Sequence, residues 1–205
     1  MSESASTPGI AALAAEAAVC RLCPLWENAT RTVFGEGPAQ APVLIVGEQP
    51  GDQEDLAGRP FVGPAGQMLD RALREAGVSR AALYVTNAVK HFKNEPRGKR
   101  RLHKTPTARE IDICKVWLEQ EIAAVDPQLV VALGASALRA LGGGAMTITK
   151  ARSRIFPSRD GRRGLVTVHP SYLLRLPDED MRVAEYARFV QDLMLIRQAV
   201  PEAAG

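Results

Sequence analysis

Residues 43–51 read VLIVGEQPG, four large aliphatic side chains running into a glycine, an acid, an amide and a Pro-Gly pair. A short apolar run bounded by turn residues is the pattern of a strand buried on both faces, as in a parallel sheet. Working outward, PAGQMLDRALREAG (64–77) has helical spacing, with Pro64 near its start and Gly77 at its end. LYVT (83–86), LVVAL (129–133) and GLVTV (164–168) repeat the strand pattern. Between them TAREIDICKVWLEQEIAAV (107–125) and GASALRAL (134–141) read as helices, the first with a capping box from Thr107 to Glu110. GIAALAAEAA (9–18) gives an Ala-rich helix, FGEGPAQAP (34–42) a loop, and 179–199 a closing helix. Strand and helix alternate, which predicts an α/β three-layer sandwich around a mostly parallel sheet of four strands.

The segments directly after these strands are GEQPG, NAVKH, GAS and HPSYLLR. In open parallel sheets the ligand site lies beyond the carboxyl ends of the strands. The four segments are therefore expected to converge on one pocket.

At 205 residues, 46% hydrophobic and 24% charged, the chain is expected to form one domain with a full core, spanning 1–205. The first twenty residues hold no Lys or Arg, against a secretory or mitochondrial leader. The longest apolar stretch, LVVALGASAL, ends at Arg139, short of a membrane span. The expectation is a soluble, cytoplasmic protein. Net charge is +3, yet residues 90–104 carry seven Lys or Arg and 150–163 carry six, half of the 26 in the chain. Both segments lack helical periodicity and read as exposed loops suited to a polyanion.

Three cysteines cannot form a closed disulfide set, and a reducing compartment leaves thiols for metal or chemistry. Cys20 and Cys23 form a C-x-x-C, a signal shared by redox, zinc and cluster sites. Cys114 lies within a helix beside Trp117 and Leu118, where a free thiol also reads as a small core hydrophobe. His91 is the best available fourth ligand. Three thiolates and an imidazole suit structural zinc or an iron-sulfur cluster, and spacing does not choose between them.

GEQPG, GRPFVGPAG (58–66), TNAVKH (86–91) and HPSYLLR (169–175), in this order, resemble the uracil-DNA glycosylase superfamily, and most closely its iron-sulfur branch, family 4. The resemblance runs from about Cys20 to the last helix. Family 4 usually has a cysteine where this chain has His91, and it lacks the insertion GKRRLHK (98–104). Both departures match the UdgX-type subgroup, whose members become covalently attached to uracil-containing DNA through the histidine of that insertion. The resemblance thus implies a structural [4Fe-4S] cluster on Cys20, Cys23, His91 and Cys114, held by an N-terminal segment of about 9–40 and the rest of the domain. It also implies a single-turnover glycosylase acting on DNA in the nucleoid, whether single-stranded or duplex, as a monomer. Structural zinc is the alternative cofactor, and a conventional multiple-turnover family 4 glycosylase the alternative activity. A non-catalytic nucleic-acid-binding module is the reading from another class.

Uracil is reached only when its nucleotide is flipped out or already single-stranded. By resemblance Phe61 stacks on the ring, Gly47 and Gln49 help to form the base site, and Asn87 pairs with uracil O4 and N3–H. His169 contacts O2, where negative charge grows as the base leaves. Ser171 and Arg175, with Lys99, Arg100, Arg101 and Lys104, are expected on phosphates. His103 is the expected nucleophile at sugar C1′, oriented by Glu48 as first choice, with Gln49 and Asp52 near the sugar or a water. Asp52 is the alternative for activating water. The cations flanking His103 are expected to keep its ring unprotonated.

Overall fold

The structure, a computed structural model, describes residues 8–142, 146–157 and 161–205. In chain order these form α1 (Ile10–Ala17), β1 (Val43–Gly47), α2 (Asp52–Ala57), α3 (Pro64–Glu75), β2 (Leu83–Asn87), β3 (Asn94–Arg97) and β4 (Arg100–His103). There follow α4 (Ala108–Val125), β5 (Leu129–Leu133), α5 (Ala135–Ala140), α6 (Ile148–Ala151), β6 (Ile155–Pro157), β7 (Arg163–Thr167), α7 (Pro170–Leu174) and α8 (Glu179–Ala199). Among the described residues no helix is long and apolar enough to cross a membrane.

The central sheet runs β2-β1-β5-β7-β6. Its first four strands are mutually parallel and are the four expected from the sequence. The fifth corrects the expectation: β6 pairs antiparallel with β7 through Ile155↔Leu165 and Phe156↔Gly164. Three residues closed by Pro157 and flanked by cations carry no periodic signal, and a proline is tolerated because this strand lies at the edge.

Side chains alternate across the sheet, so each apolar strand feeds two cores. Leu44, Val46, Tyr84, Val130, Ala132 and Val166 pack towards α1, α4 and α5. Val43, Ile45, Val85, Val131, Leu133 and Leu165 pack towards α3 and α8. Helices on both faces explain why the strands read as continuous apolar runs.

The capping box of α4 forms as expected: Glu110 N–H donates to Thr107 Oγ1 (3.3 Å) and Thr107 N–H to Glu110 Oε2 (2.6 Å). The basic stretch after β2 is not a plain loop. Arg97 and Arg100 pair across a two-residue turn in which Gly98 takes φ +60°, as a hairpin with glycine at its first central position requires. Ser158, Arg159 and Asp160 of the second basic stretch lie outside the described residues; the rest of it includes the end of α6, β6 and the start of β7.

Candidate active site

Because β1, β2, β5 and β7 are parallel, their carboxyl ends share one edge of the sheet, and there a cavity of about 800 Å³ opens. Glu48, Gln49, Asp52, Phe61, Asn87, His103, His169, Ser171 and Arg175 all line it, so the four post-strand segments and the hairpin meet.

The inner end is built from Gly47, Phe61, Asn87 and His169. Gly47 and Asn87 are paired across β1 and β2. A Cβ on Gly47 would lie 2.4 Å from Asn87 Oδ1 and 2.7 Å from Phe61 Cζ, so only glycine lets amide and ring approach together. Phe61 sits at φ +57°, a conformation rare for an aromatic residue. Its loop is tied down by the buried Glu54 carboxylate, which accepts Gly51 N–H (3.1 Å) and Gly63 N–H (2.8 Å). Asn87 is 3% exposed as a residue, and its carboxamide borders the cavity, where among the described residues no hydrogen bond engages it. Its donor and acceptor are thus open to a ligand in the cavity.

His169 stacks near Phe61, with ring centroids 6.4 Å apart and planes 29° apart. Its Nδ1 accepts Ser171 N–H (3.2 Å) and contacts Ser171 Oγ (2.8 Å), which in turn accepts from Arg175 Nη1 (3.2 Å). Nδ1 is therefore the acceptor and Nε2 carries the proton. Burial first, then Arg175 and His103, push the His169 pKa down to about 4, so the ring is a neutral donor at physiological pH. Ser171, expected on phosphate, is engaged with His169 in this structure.

That depressed value has a consequence for stability. Between about pH 6.5 and 4 the unfolded chain binds a proton at His169 that the folded chain refuses, so stability falls as pH falls, by about 1.4 kcal/mol per pH unit. Urea unfolding of the wild type is expected to lose about 2 kcal/mol more between pH 7 and pH 5 than that of His169→Asn, which keeps an N-cap acceptor without a titrating ring. Parallel losses in the two proteins would refute this.

His103, half exposed on β4, stands at the rim. The Gln49 amide is oriented by two backbone groups: Oε1 accepts Lys93 N–H and Nε2 donates to Lys104 C=O, both at 2.9 Å. The remaining Gln49 N–H faces His103 Nε2 at 2.8 Å, which leaves Nε2 with a lone pair and Nδ1 with the proton. Glu48, the first choice from sequence, stands back, with Oε1 3.7 Å from His103 Nε2. The His103 pKa is lowered, as expected, but by burial and by Arg175, while Glu48 pulls it upward. The cations beside it in sequence are otherwise occupied or distant. Lys104 pairs with Glu95 (2.6 Å), and Arg101 turns inward to Asp52 (2.7 Å), Asp55 (2.5 Å) and Thr30 (3.1 Å). Arg101 anchors the hairpin instead of facing solvent, and Asp52 is held by it. Lys99 and Arg100 are exposed at and beside the turn.

Sequence reasoning missed Lys90. It is fully buried, and its Nζ donates to Glu121 Oε2 (2.5 Å), Thr86 Oγ1 (2.6 Å) and the Asn87 carbonyl (2.7 Å). Its place in NAVKH, next to Asn87 and His91, was the available signal.

The expected metal ligands are not among the residues lining the cavity. Cys23, His91 and Cys114 are buried and Cys20 is half-buried. Burial raises the Cys23 thiol and pushes Cys114 up to about 11, and the sulfurs lie close enough to raise one another. Trp117 Nε1–H donates to Cys20 Sγ (3.1 Å) and Lys90 N–H to Cys114 Sγ (3.3 Å). His91 Nε2 bonds Thr32 Oγ1 (3.0 Å), while its Nδ1 is buried without a partner. Among the described residues no three His, Cys, Asp or Glu side chains are gathered as ligands of a metal ion. Three free thiols and an orphaned imidazole nitrogen are donor types that suit an iron-sulfur cluster or zinc.

Residues 34–194 match the family described as the uracil DNA glycosylase superfamily. The chain belongs to this superfamily. It is 41% identical over 164 residues to the type-4 uracil-DNA glycosylase of Thermotoga maritima, covering 80% of this chain and 82% of that protein. It is 37% identical over 165 residues to that of Pyrobaculum aerophilum (77% and 81% covered) and 31% over 184 to that of Sulfurisphaera tokodaii (86% and 80%). The superfamily match takes in the whole cavity but begins after Cys20 and Cys23.

Proposed function

We propose that this protein is a uracil-DNA glycosylase of UdgX type, which cleaves the N-glycosidic bond of deoxyuridine once and remains attached to sugar C1′ through His103. The observation that carries the glycosylase reading is the Asn87 carboxamide on the cavity wall, engaged by no hydrogen bond among the described residues and set beside Phe61 and His169. One amide oxygen and one N–H can take the N3–H and O4 of uracil, whereas cytosine presents the opposite pattern. As the N1–C1′ bond breaks, its electron pair passes to the base and collects at O2. The neutral His169 Nε2–H supplies a donor there, an interaction worth roughly 3 to 4 kcal/mol. The sugar is left cationic at C1′.

The lone pair on His103 Nε2 then forms the C–N bond. The imidazolium so made loses its Nδ1 proton to solvent, and the resulting neutral N-alkyl imidazole is a poor leaving group. A carboxylate trap, by contrast, gives an ester-like adduct that water hydrolyses. Gln49 sets the tautomer by donating to Nε2, a hydrogen bond given up as the lone pair turns to C1′, and Arg101 holds the hairpin that carries the ring. Lys99, Arg100 and Arg175 are assigned to phosphates, where they add affinity without sequence preference. Lys104 joins them once drawn from Glu95.

Cys20, Cys23, His91 and Cys114 are assigned to a [4Fe-4S] cluster with a structural role. It would fasten the N-terminal segment to α4 and to the loop after β2, within a single domain. The multiple-turnover alternative has the same inner pocket and differs in whether water or His103 reaches C1′ first.

The test is a uracil-containing single-stranded oligonucleotide, incubated with the protein and run on a denaturing gel beside a thymine control. A heat- and detergent-stable shifted band with uracil alone is expected, from protein that contains iron and acid-labile sulfide. Free DNA with alkali-labile abasic sites would mean ordinary turnover, and zinc in place of iron would remove the cluster.

A further inference from the structure

The Glu48 carboxylate divides its two oxygens between different neighbours. Oε2 accepts from Ser136 Oγ at 2.5 Å, and Oε1 is left towards His103 Nε2 at 3.7 Å and the cavity mouth. Among the described residues Ser136 is the single hydrogen-bond donor to this carboxylate. Ser136 itself is half-buried on α5, behind Gly134 and Ala135, which line the cavity where Ser136 does not. Strands β1 and β5 are parallel neighbours, so the residue after β1 and the second residue of α5 come together across the sheet edge although 88 positions separate them.

We propose that Ser136 is a positioning residue that fixes the Glu48 carboxylate with one oxygen committed and the other facing the reacting sugar. A short O–H···O⁻ bond is among the stronger hydrogen bonds, and it restricts a side chain that has no other anchor. A carboxylate so held presents negative charge where the C1′ cation develops and needs no rearrangement as the bond breaks. It is also kept from swinging onto His103 Nε2 and occupying the region that C1′ must enter. This inference rests on the proposed glycosylase function and adds to it that Glu48, on the cavity wall near His103, is the carboxylate that faces C1′.

The test is single-turnover uracil release from a single-stranded oligonucleotide under excess protein, comparing wild type, Ser136→Ala, Ser136→Thr, Glu48→Ala and the Ser136→Ala/Glu48→Ala pair. Misplacing a reacting group by about 1 Å can cost on the order of a hundredfold. Ser136→Ala is expected to slow release at least about tenfold at an unchanged half-saturating DNA concentration, with Ser136→Thr restoring the rate. In the Glu48→Ala background the serine is expected to contribute nothing further, because the group it orients is gone. An equal loss in both backgrounds, or a wild-type rate in Ser136→Ala beside a slow Glu48→Ala, overturns the role of Ser136. A wild-type rate in Glu48→Ala overturns the reading of Glu48 beneath it.

Discussion

His103→Ser is expected to lose the heat-stable protein–DNA band completely while still releasing uracil and leaving an abasic site. The separation follows from where the groups stand. Asn87 and His169, which would hold the base, stand at strand ends and Phe61 on the loop before α3, whereas His103 sits on the hairpin at the rim. Serine is short and a weaker nucleophile than a neutral imidazole, so water takes the C1′ cation. His103 is half exposed, with the Gln49 hydrogen bond and the Phe92 ring as its neighbours, so the fold is expected to stay within about 1.5 kcal/mol of wild type. Loss of both adduct and uracil release would show that His103 helps break the bond, and a persisting adduct would move the attachment to another side chain. Both results are read from one denaturing gel with an alkali-treated lane.

Lys90→Met is expected to cost about 3 to 5 kcal/mol of stability, measured by urea unfolding at pH 7. Lys90 and Glu121 are both fully buried. Glu121 also accepts Gly35 N–H (2.9 Å), the Tyr84 hydroxyl (3.0 Å) and the Thr86 hydroxyl (2.9 Å). Tyr84 is held protonated, its pKa driven well up by burial and by the Glu121 charge. Removing the ammonium leaves that carboxylate uncompensated inside the protein, and it strips the Asn87 carbonyl of its donor. Adding Glu121→Gln removes the stranded charge while keeping an acceptor for Gly35 and Tyr84, and is expected to recover more than half of the loss. A cost below about 1 kcal/mol for Lys90→Met would refute the buried-pair account.

These two residues also mark how far the sequence could be read. The apolar runs at 43–46, 83–86, 129–133 and 164–168 announce buried parallel strands, and parallel strands bring their following loops together, so the cavity was legible from local patterns. What local pattern does not carry is the identity of a charge's partner. Arg101 looked like a phosphate ligand because its neighbours in sequence are cations; its partners Asp52 and Asp55 come from α2. Lys90 looked like part of a basic run until Glu121, 31 residues on, made it a core residue. The lowered pKa of His103 was expected from adjacent cations, but burial and Arg175 cause it. Gln49 outranked Glu48 as the partner of His103 because two backbone groups, visible only in the fold, fix its amide. The hairpin had a signal, a glycine opening a two-residue turn between arginines, which the run of charge obscured.

The two ends of that hairpin meet. Lys104 N–H donates to the Lys93 carbonyl at 3.0 Å, and the single Gln49 amide grips the backbone at both positions. An insert that enters and leaves through one gate does not disturb the register of the strands on either side. It can lengthen, shorten or exchange its tip while the floor of the pocket stays as it was. On the proposed reading, the base and the broken bond are then handled by different parts of the chain, joined through Gln49, Asp52 and Asp55. Covalent capture would be gained or lost by remodelling the hairpin, with the strand ends that would hold the base left in place.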